Sequence, residues 1–254
     1  MIDLTLVSCV APCILEGQDG TGAARLLEPL VEARVPLVVY VEEEWRAAVE
    51  AGTGGELLRV RPTSAPDRHR EFGTRRALEA TWRAAARAGL PSLDYFVLTL
   101  GKMGMLHDQS IWDPFGTRHL AWIDADVAAS VNPLYLTRAR LLDSLPSLLS
   151  GFFLLTRPSP CADAAGRENA SRVQTQLFGG EAGAIAEVNT AYFQLLEAVL
   201  GAGELPTDEF LFTELLTRTP ERFDRFVLQE NGLLGVLFEQ MRTGYVPIER
   251  TAMH

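Results

Sequence analysis

Apolar and polar positions follow two different rhythms along this chain. Residues 4–10 read Leu-Thr-Leu-Val-Ser-Cys-Val, residues 36–41 Pro-Leu-Val-Val-Tyr-Val, and residues 57–60 Leu-Leu-Arg-Val. Apolar runs this short, rich in β-formers, predict buried strands. Between the first two runs, Leu26, Leu27, Leu30 and Val31 recur at helical spacing within residues 23–33. Between the second and third, residues 45–51 predict a short helix stopped by Gly52. Strand, helix, strand, helix, strand is the opening half of a parallel sheet of the nucleotide-binding kind. Gly17, Gly20 and Gly22 lie several residues beyond the first strand and in the wrong order for a dinucleotide fingerprint. That excludes a dehydrogenase of the Rossmann type.

The same two rhythms continue. Residues 67–88 predict a long helix whose Arg68, Arg70, Arg75, Arg76, Arg83 and Arg87 form a basic, solvated face. Residues 95–111 predict one helix with Phe96, Leu100, Met103 and Leu106 on its apolar side and Lys102 within it. Asp113-Pro114-Phe115-Gly116 predicts a turn. His119–Ile123 is the next apolar run, a strand that leads into Asp124, Ala125 and Asp126. Asn132-Pro133 breaks the chain, and residues 134–149 hold short helical pieces. Residues 151–155 and 223–227 are candidate strands, and 176–180 reads as a strand ending in Gly179 and Gly180. Residues 157–166, with two prolines and several small side chains, predict a loop long enough to cover a site. Residues 181–200 predict a strong amphipathic helix, and residues 210–217 another, N-capped by Thr207. The tail, residues 242–254, has little pattern, and no internal repeat is present.

Asp124 and Asp126 change the picture from architecture to chemistry. Residues two apart on an extended chain point the same way. If the strand geometry continues past Ile123, both carboxylates share one face at its C-terminal tip. Ligands of open α/β sheets bind beyond the carboxyl ends of the strands. Two acids there repel each other unless a cation lies between them. Magnesium or manganese is the natural occupant, with phosphate oxygens completing its shell. A solvated Asp-x-Asp turn after a strand is the plain alternative.

Composition narrows the partners. The chain has 254 residues and is 47% hydrophobic, which suits one α/β domain with a sizeable core. A net charge of −10 without a basic block argues against nucleic acid or an anionic membrane as main partner. No apolar run approaches membrane-spanning length, and the first residues lack the basic region of a signal peptide. Cys9, Cys13 and Cys161 have no metal-site spacing and read as free thiols of a cytoplasmic protein.

Three segments together resemble one family. They are Lys102 through Asp126, with Asp113-Pro114-Phe115-Gly116 and Trp122-Ile123-Asp124-Ala125-Asp126 inside it; Leu177-Phe178-Gly179-Gly180-Glu181; and Pro206-Thr207-Asp208-Glu209-Phe210. In this order they are similar to the bacterial HtrL/YibB family, whose members are read as GT-A type glycosyltransferases. The resemblance covers most of the chain and thins over residues 151–172 and in the tail. It implies a single-domain αβα sandwich with a mostly parallel sheet. Residues 1–126 would form the nucleotide-binding half and residues 127–254 the acceptor-side half. The activity implied is transfer of a sugar from a nucleotide-diphospho-sugar to an acceptor that is a small molecule, a glycan or a peptide.

The resemblance also distributes roles. Asp124 would contact the metal or the ribose, and Asp126 would ligate Mn2+ or Mg2+ directly. Lys102 would add positive charge near the phosphates; a lysine on a helix surface is the plain alternative. Gly179 and Gly180 would let backbone approach the sugar. Asp208 or Glu209 would be the catalytic carboxylate, as base or as a contact to a sugar hydroxyl. His254 would reach the metal as a late ligand. Two other functions compete. A sugar-nucleotide-forming nucleotidyltransferase needs a Gly- and basic-rich loop after its first strand, where this chain has Ala11-Pro12-Cys13-Ile14-Leu15-Glu16. A non-catalytic nucleotide-sugar-binding protein would be expected to lose the acids that are retained here.

Overall fold

The computed structural model describes residues 4–15, 17–63, 75–85, 89–130, 151–156, 173–228 and 248–249. All seven residues of β1 (Leu4–Val10) are buried. A strand with no polar face must be covered on both sides, and β1 sits inside an eight-stranded sheet. The order is β3-β2-β1-β4-β6-β5-β7-β8, formed by β2 (Leu37–Glu42), β3 (Leu58–Thr63), β4 (His119–Ile123), β5 (Phe152–Thr156), β6 (Val173–Glu181), β7 (Phe223–Val227) and β8 (Ile248–Glu249). β1 pairs parallel with β2 and β4, β2 with β3, and β5 with β7. β6 runs antiparallel between β4 and β5, and β8 antiparallel to β7. The sheet is mixed, with parallel pairings in the majority, as the alternation of strands and helices predicts.

Strand residues of opposite parity feed two cores. Leu4, Leu6, Val39, Val41, Ala121 and Ile123 face one helical layer, with α1 (Gly20–Glu32), α2 (Glu43–Thr53) and α6 (Ala125–Ser130). Val7, Cys9, Tyr40, Leu120, Trp122, Phe152 and Phe178 face the other. That second layer holds α3 (Arg75–Ala85), α4 (Leu93–Leu100), α5 (Lys102–Trp112), α7 (Ala182–Gly201) and α8 (Asp208–Arg218). Its centre is aromatic: Trp122 stacks on Phe178 at 6.3 Å, and Phe212 lies 5.0 Å from both Phe178 and Tyr192. Each such contact adds about 0.5–1.5 kcal/mol beyond area burial.

The structure departs from the pattern-based expectation at three places. β3 runs on through Pro62 to Thr63, past residue 60 where the apolar run that predicts it ends. As the edge strand it pairs on one side only, so a residue without an N–H is tolerated. The helix expected over residues 95–111 is two helices, divided at Gly101. Residues 248–249 form a strand inside the tail that showed no pattern. The expected helix over 67–88 is described only within Arg75–Ala85. The helical pieces of 134–149 and the covering loop 157–166 lie outside the described residues.

Candidate functional site

The alternation along β4 carries one residue past the strand. The Asp124 amide donates to the Gln176 carbonyl at 2.9 Å, one further ladder-like bond. Asp124 therefore keeps the side of Trp122, whose indole N–H donates to Asp124 Oδ1 at 2.7 Å. On that side α5 begins. The break at Gly101 makes Lys102 the first residue of α5, with its side chain at the end of β4. Lys102 Nζ donates to Asp124 Oδ2 at 3.0 Å and lies 3.3 Å from Asp208 Oδ2. Asp208 opens α8, where Thr207 caps the helix by accepting from the Phe210 amide at 3.2 Å. Asp208 Oδ1 accepts the Glu209 amide at 3.1 Å. Lys102 and Asp208 are each only 7% exposed.

The cluster is one cation between two anions. A helix N-terminus disfavours an ammonium, so the carboxylates must offset both the dipole and the lost hydration. Burial pushes the Lys102 pKa down, but Asp124 and Asp208 raise it more, and the net shift is upward. Burial raises the Asp124 pKa against the lowering effects of Lys102 and of the Trp122 indole, and the net is again upward.

Asp126 is elsewhere. The chain turns into α6 at Ala125, so the extended geometry that would align the two acids stops at Asp124. Asp126 is exposed in the first helical turn, and its Oδ1 accepts the Val127 amide at 2.8 Å. This corrects the expectation of two carboxylates on one strand face. Both still border one cavity of about 130 Å³, together with Cys9, Leu15, Tyr95 and Lys102. That cavity opens where β1 and β4 end side by side. From β1 the chain proceeds to β2 on one flank and later returns as β4 on the other, which is a topological switch point. A larger cavity of about 320 Å³ lies at the opposite end, beside Val31, Arg34, Leu37, Glu56 and Leu58. It holds no cluster of charges, so the smaller one is the candidate site.

The other expected residues fall as follows. Glu209 follows Asp208 and is half-buried. Gly179 and Gly180 lie inside β6, and a Cβ on either would overlap backbone: the Leu120 carbonyl oxygen for Gly179 and the Gly151 carbonyl oxygen for Gly180. Their small size serves close strand pairing with β4 and β5. Lys102 is bound to two acids, which removes the alternative of a lysine on a helix surface. His254 lies outside the described residues. Among the described residues no group of three or more His, Cys, Asp or Glu is arranged to hold a metal. Cys13 is pushed up to about 12 by burial and by Glu42 and Asp94, so it stays a thiol at neutral pH.

Periodicity alone did not single out Trp122, Tyr95 or Tyr192. Trp122 orients Asp124, Tyr95 lines the cavity, and the Tyr192 phenol is held high first by burial and then by the charge of Asp208. The signal for Trp122 was its place two residues before Asp124. Tyr192 carried none, because a helix aromatic reads as core.

No protein-family model matches the sequence, and no curated protein matches it. Solved structures do. Mouse xyloside xylosyltransferase 1 in its apo form aligns over 89% of this chain and 84% of its own, with a TM-score of 0.52 and 14% identity. A mannose-1-phosphate geranyltransferase from Thermus thermophilus aligns over 89% of this chain and 74% of its own, with a TM-score of 0.45 and 14% identity. The first likeness shows the fold: a GT-A-like α/β domain with helices on both faces of the sheet.

Proposed function

We propose that the chain transfers a sugar from a nucleotide-diphospho-sugar to an acceptor hydroxyl. The observation that carries this reading is the buried Asp124–Lys102–Asp208 cluster at the switch point of a GT-A-like sheet. The motifs shared with the HtrL/YibB family support it, as does the name of the mouse xylosyltransferase with the similar fold.

The charges of the site fit a divalent cation. Lys102 is already matched by Asp124 and Asp208, and Asp126 borders the cavity as a further carboxylate beside Asp124. A diphosphate entering there meets net negative charge and needs a further cation. The exposed Asp126 offers carboxylate lone pairs to Mg2+ or Mn2+, and Asp124 those its two donors leave free. One or two carboxylates suffice for such an ion when phosphate and water complete its shell. Bound there, it would stabilise the negative charge that grows on the leaving diphosphate. His254 is the third ligand in this reading. Trp122 and Lys102 hold Asp124 still, which keeps its unused lone pairs aimed at the cavity. Asp208 or Glu209 is the carboxylate that meets the reacting sugar or acceptor hydroxyl. The thiols of Cys9 and Cys13, in no disulfide among the described residues, suit the reducing cytoplasm in which we place the enzyme.

A thermal-shift screen of nucleoside diphosphates and their sugars, with manganese and with chelator, tests this. A ligand that binds only the native state raises the melting temperature by mass action. The expected result is a manganese-dependent rise with one nucleoside diphosphate and its sugar. No rise with any nucleotide, in either condition, overturns the reading.

A further inference from the structure

The cavity at the switch point has about 130 Å³, room for a group larger than one water, whose share of the liquid is about 30 Å³. Three of its lining side chains, Tyr95, Thr99 and Lys102, stand four and seven residues apart, the spacing of one helical face. That face runs from α4 across the break at Gly101 into α5. Most donors on this wall are committed. The Trp122 indole donates to Asp124, and the Thr99 hydroxyl donates to the Tyr95 carbonyl at 2.9 Å. Lys102 is held between Asp124 and Asp208. Tyr95 itself is hydrogen-bonded among the described residues only through its backbone, whose amide donates to the Ser92 hydroxyl at 3.1 Å and whose carbonyl accepts from Thr99. Its phenolic O–H has no partner there. Burial raises the pKa of that phenol and Asp208 raises it further, against the opposing pull of Lys102. The net is upward, so the phenol keeps its proton and stays a donor at neutral pH.

Asp124 and Asp126 line the same cavity, and ionised carboxylates accept hydrogen bonds but give none. A sugar hydroxyl finds acceptors in them. A phosphate oxygen, which only accepts, needs donors from the rest of the wall. We propose that the Tyr95 hydroxyl donates a hydrogen bond to a phosphate oxygen of the bound diphosphate. This rests on the nucleotide-diphospho-sugar reading above and adds a phosphate-binding residue to it. A phenol suits this place because it offers an O–H without adding a charge. A second ammonium would compete with Lys102 for Asp124 and Asp208, and a further carboxylate would repel the phosphate. Hydrogen bonds to an ionised acceptor are about twice as strong as neutral ones, so a single well-placed phenol has a measurable effect.

The test uses the full chain and Tyr95→Phe, which removes the hydroxyl and keeps the ring. UDP, GDP, ADP, CDP and dTDP are titrated against both proteins with magnesium, which leaves phosphorus resonances sharp, and phosphorus NMR follows the bound diphosphate. The expected result is a loss of about tenfold in affinity for whichever diphosphate the parent binds, the effect of one hydrogen bond to a charged group. A moved phosphorus resonance should accompany it, and the free variant should melt within about 2 °C of the parent, since no hydrogen bond of the fold is lost. Unchanged affinity overturns the proposal and leaves the transferase reading standing. A loss of affinity with unmoved phosphorus resonances also overturns it, because the hydroxyl then meets the base or the ribose. A larger fall in melting temperature without ligand overturns it as well, by assigning the hydroxyl to the fold. If the parent binds none of the five diphosphates, the transferase reading fails and the proposal falls with it.

Discussion

Lys102 shows how much one residue can hold. Its ammonium is buried between Asp124 and Asp208, and removing one member of a buried charge cluster strands the others. Lys102→Met is expected to lower stability by about 3–5 kcal/mol, read as a shift in the urea midpoint. Adding Asp208→Asn to that variant should recover part of the loss, because one stranded charge is gone. A loss that the second change does not reduce would mean the pair is not coupled. Asp126 is the contrast. It is exposed, so Asp126→Asn should move stability by no more than about 0.5 kcal/mol. The same change should abolish the manganese-dependent part of nucleotide binding, and retention of that part would remove Asp126 from the metal. Cys13 supplies a pH test. Its pKa rises from 9.0 to about 12 in the fold. The unfolded thiol therefore ionises first, the native state binds more protons, and stability is lost as pH rises from about 9 towards 12. Lys102, Tyr95 and Tyr192 act in the same direction. The difference between parent and Cys13→Ser isolates the thiol: the variant should lose less stability between pH 8 and pH 11 in urea titrations.

At the scale of elements, the site depends on where helices begin and strands approach. Thr207 sets the first turn of α8 and with it Asp208. Thr207→Ala should cost about 1 kcal/mol through the lost cap. Gly179 allows β6 to lie against β4, since a Cβ there would overlap the Leu120 carbonyl. The β4 backbone at Leu120 and Ala121 cannot yield without parting the strands, so Gly179→Ala is expected to unfold the chain or to lower its melting temperature by more than about ten degrees, a shift of several kcal/mol. A variant with parental melting temperature would show that the strands can separate freely. The break at Gly101 matters in the same way. One continuous helix over residues 95–111 would not start a turn at Lys102, and the ammonium reaches Asp124 from that turn.

For the whole molecule, the sheet grades from a doubly covered centre to a bare edge. β1, β2 and β4 are buried on both faces, whereas in β3 only Thr63 is fully buried and the strand pairs on one side. Native-state hydrogen exchange should find β1 and β4 opening only with global unfolding and β3 exchanging faster. Equal protection across all four strands would contradict this grading. Two ends of the same sheet also divide their work. The N-terminal end of β2 and β3 has the larger cavity but little charge, and the C-terminal end of β1 and β4 gathers the acids around one lysine.

The sequence by itself determined the strands and helices that depend on local periodicity. His119–Ile123, Leu4–Val10 and the cap at Thr207 stand where apolar runs and capping chemistry place them, because those signals are read within a few residues. It also marked Asp124, Asp208 and Lys102 as chemistry, through motifs. Their meeting was not legible, since 22 residues separate Lys102 from Asp124 and the contact depends on how α5 packs over β4. Nor was the separation of Asp126 from Asp124, because a strand and a helix start look alike until the sheet ends. The strand pairing at the glycines of β6 was hidden for a related reason: a missing Cβ looks the same in a sequence whether a ligand or a neighbouring strand lies against it. Burial of the Tyr192 hydroxyl was decided only by tertiary packing, which brings α7 and α8 together over the aromatic core. Periodicity reports which face of an element is buried; which charges then face each other depends on the angles and distances at which those elements pack.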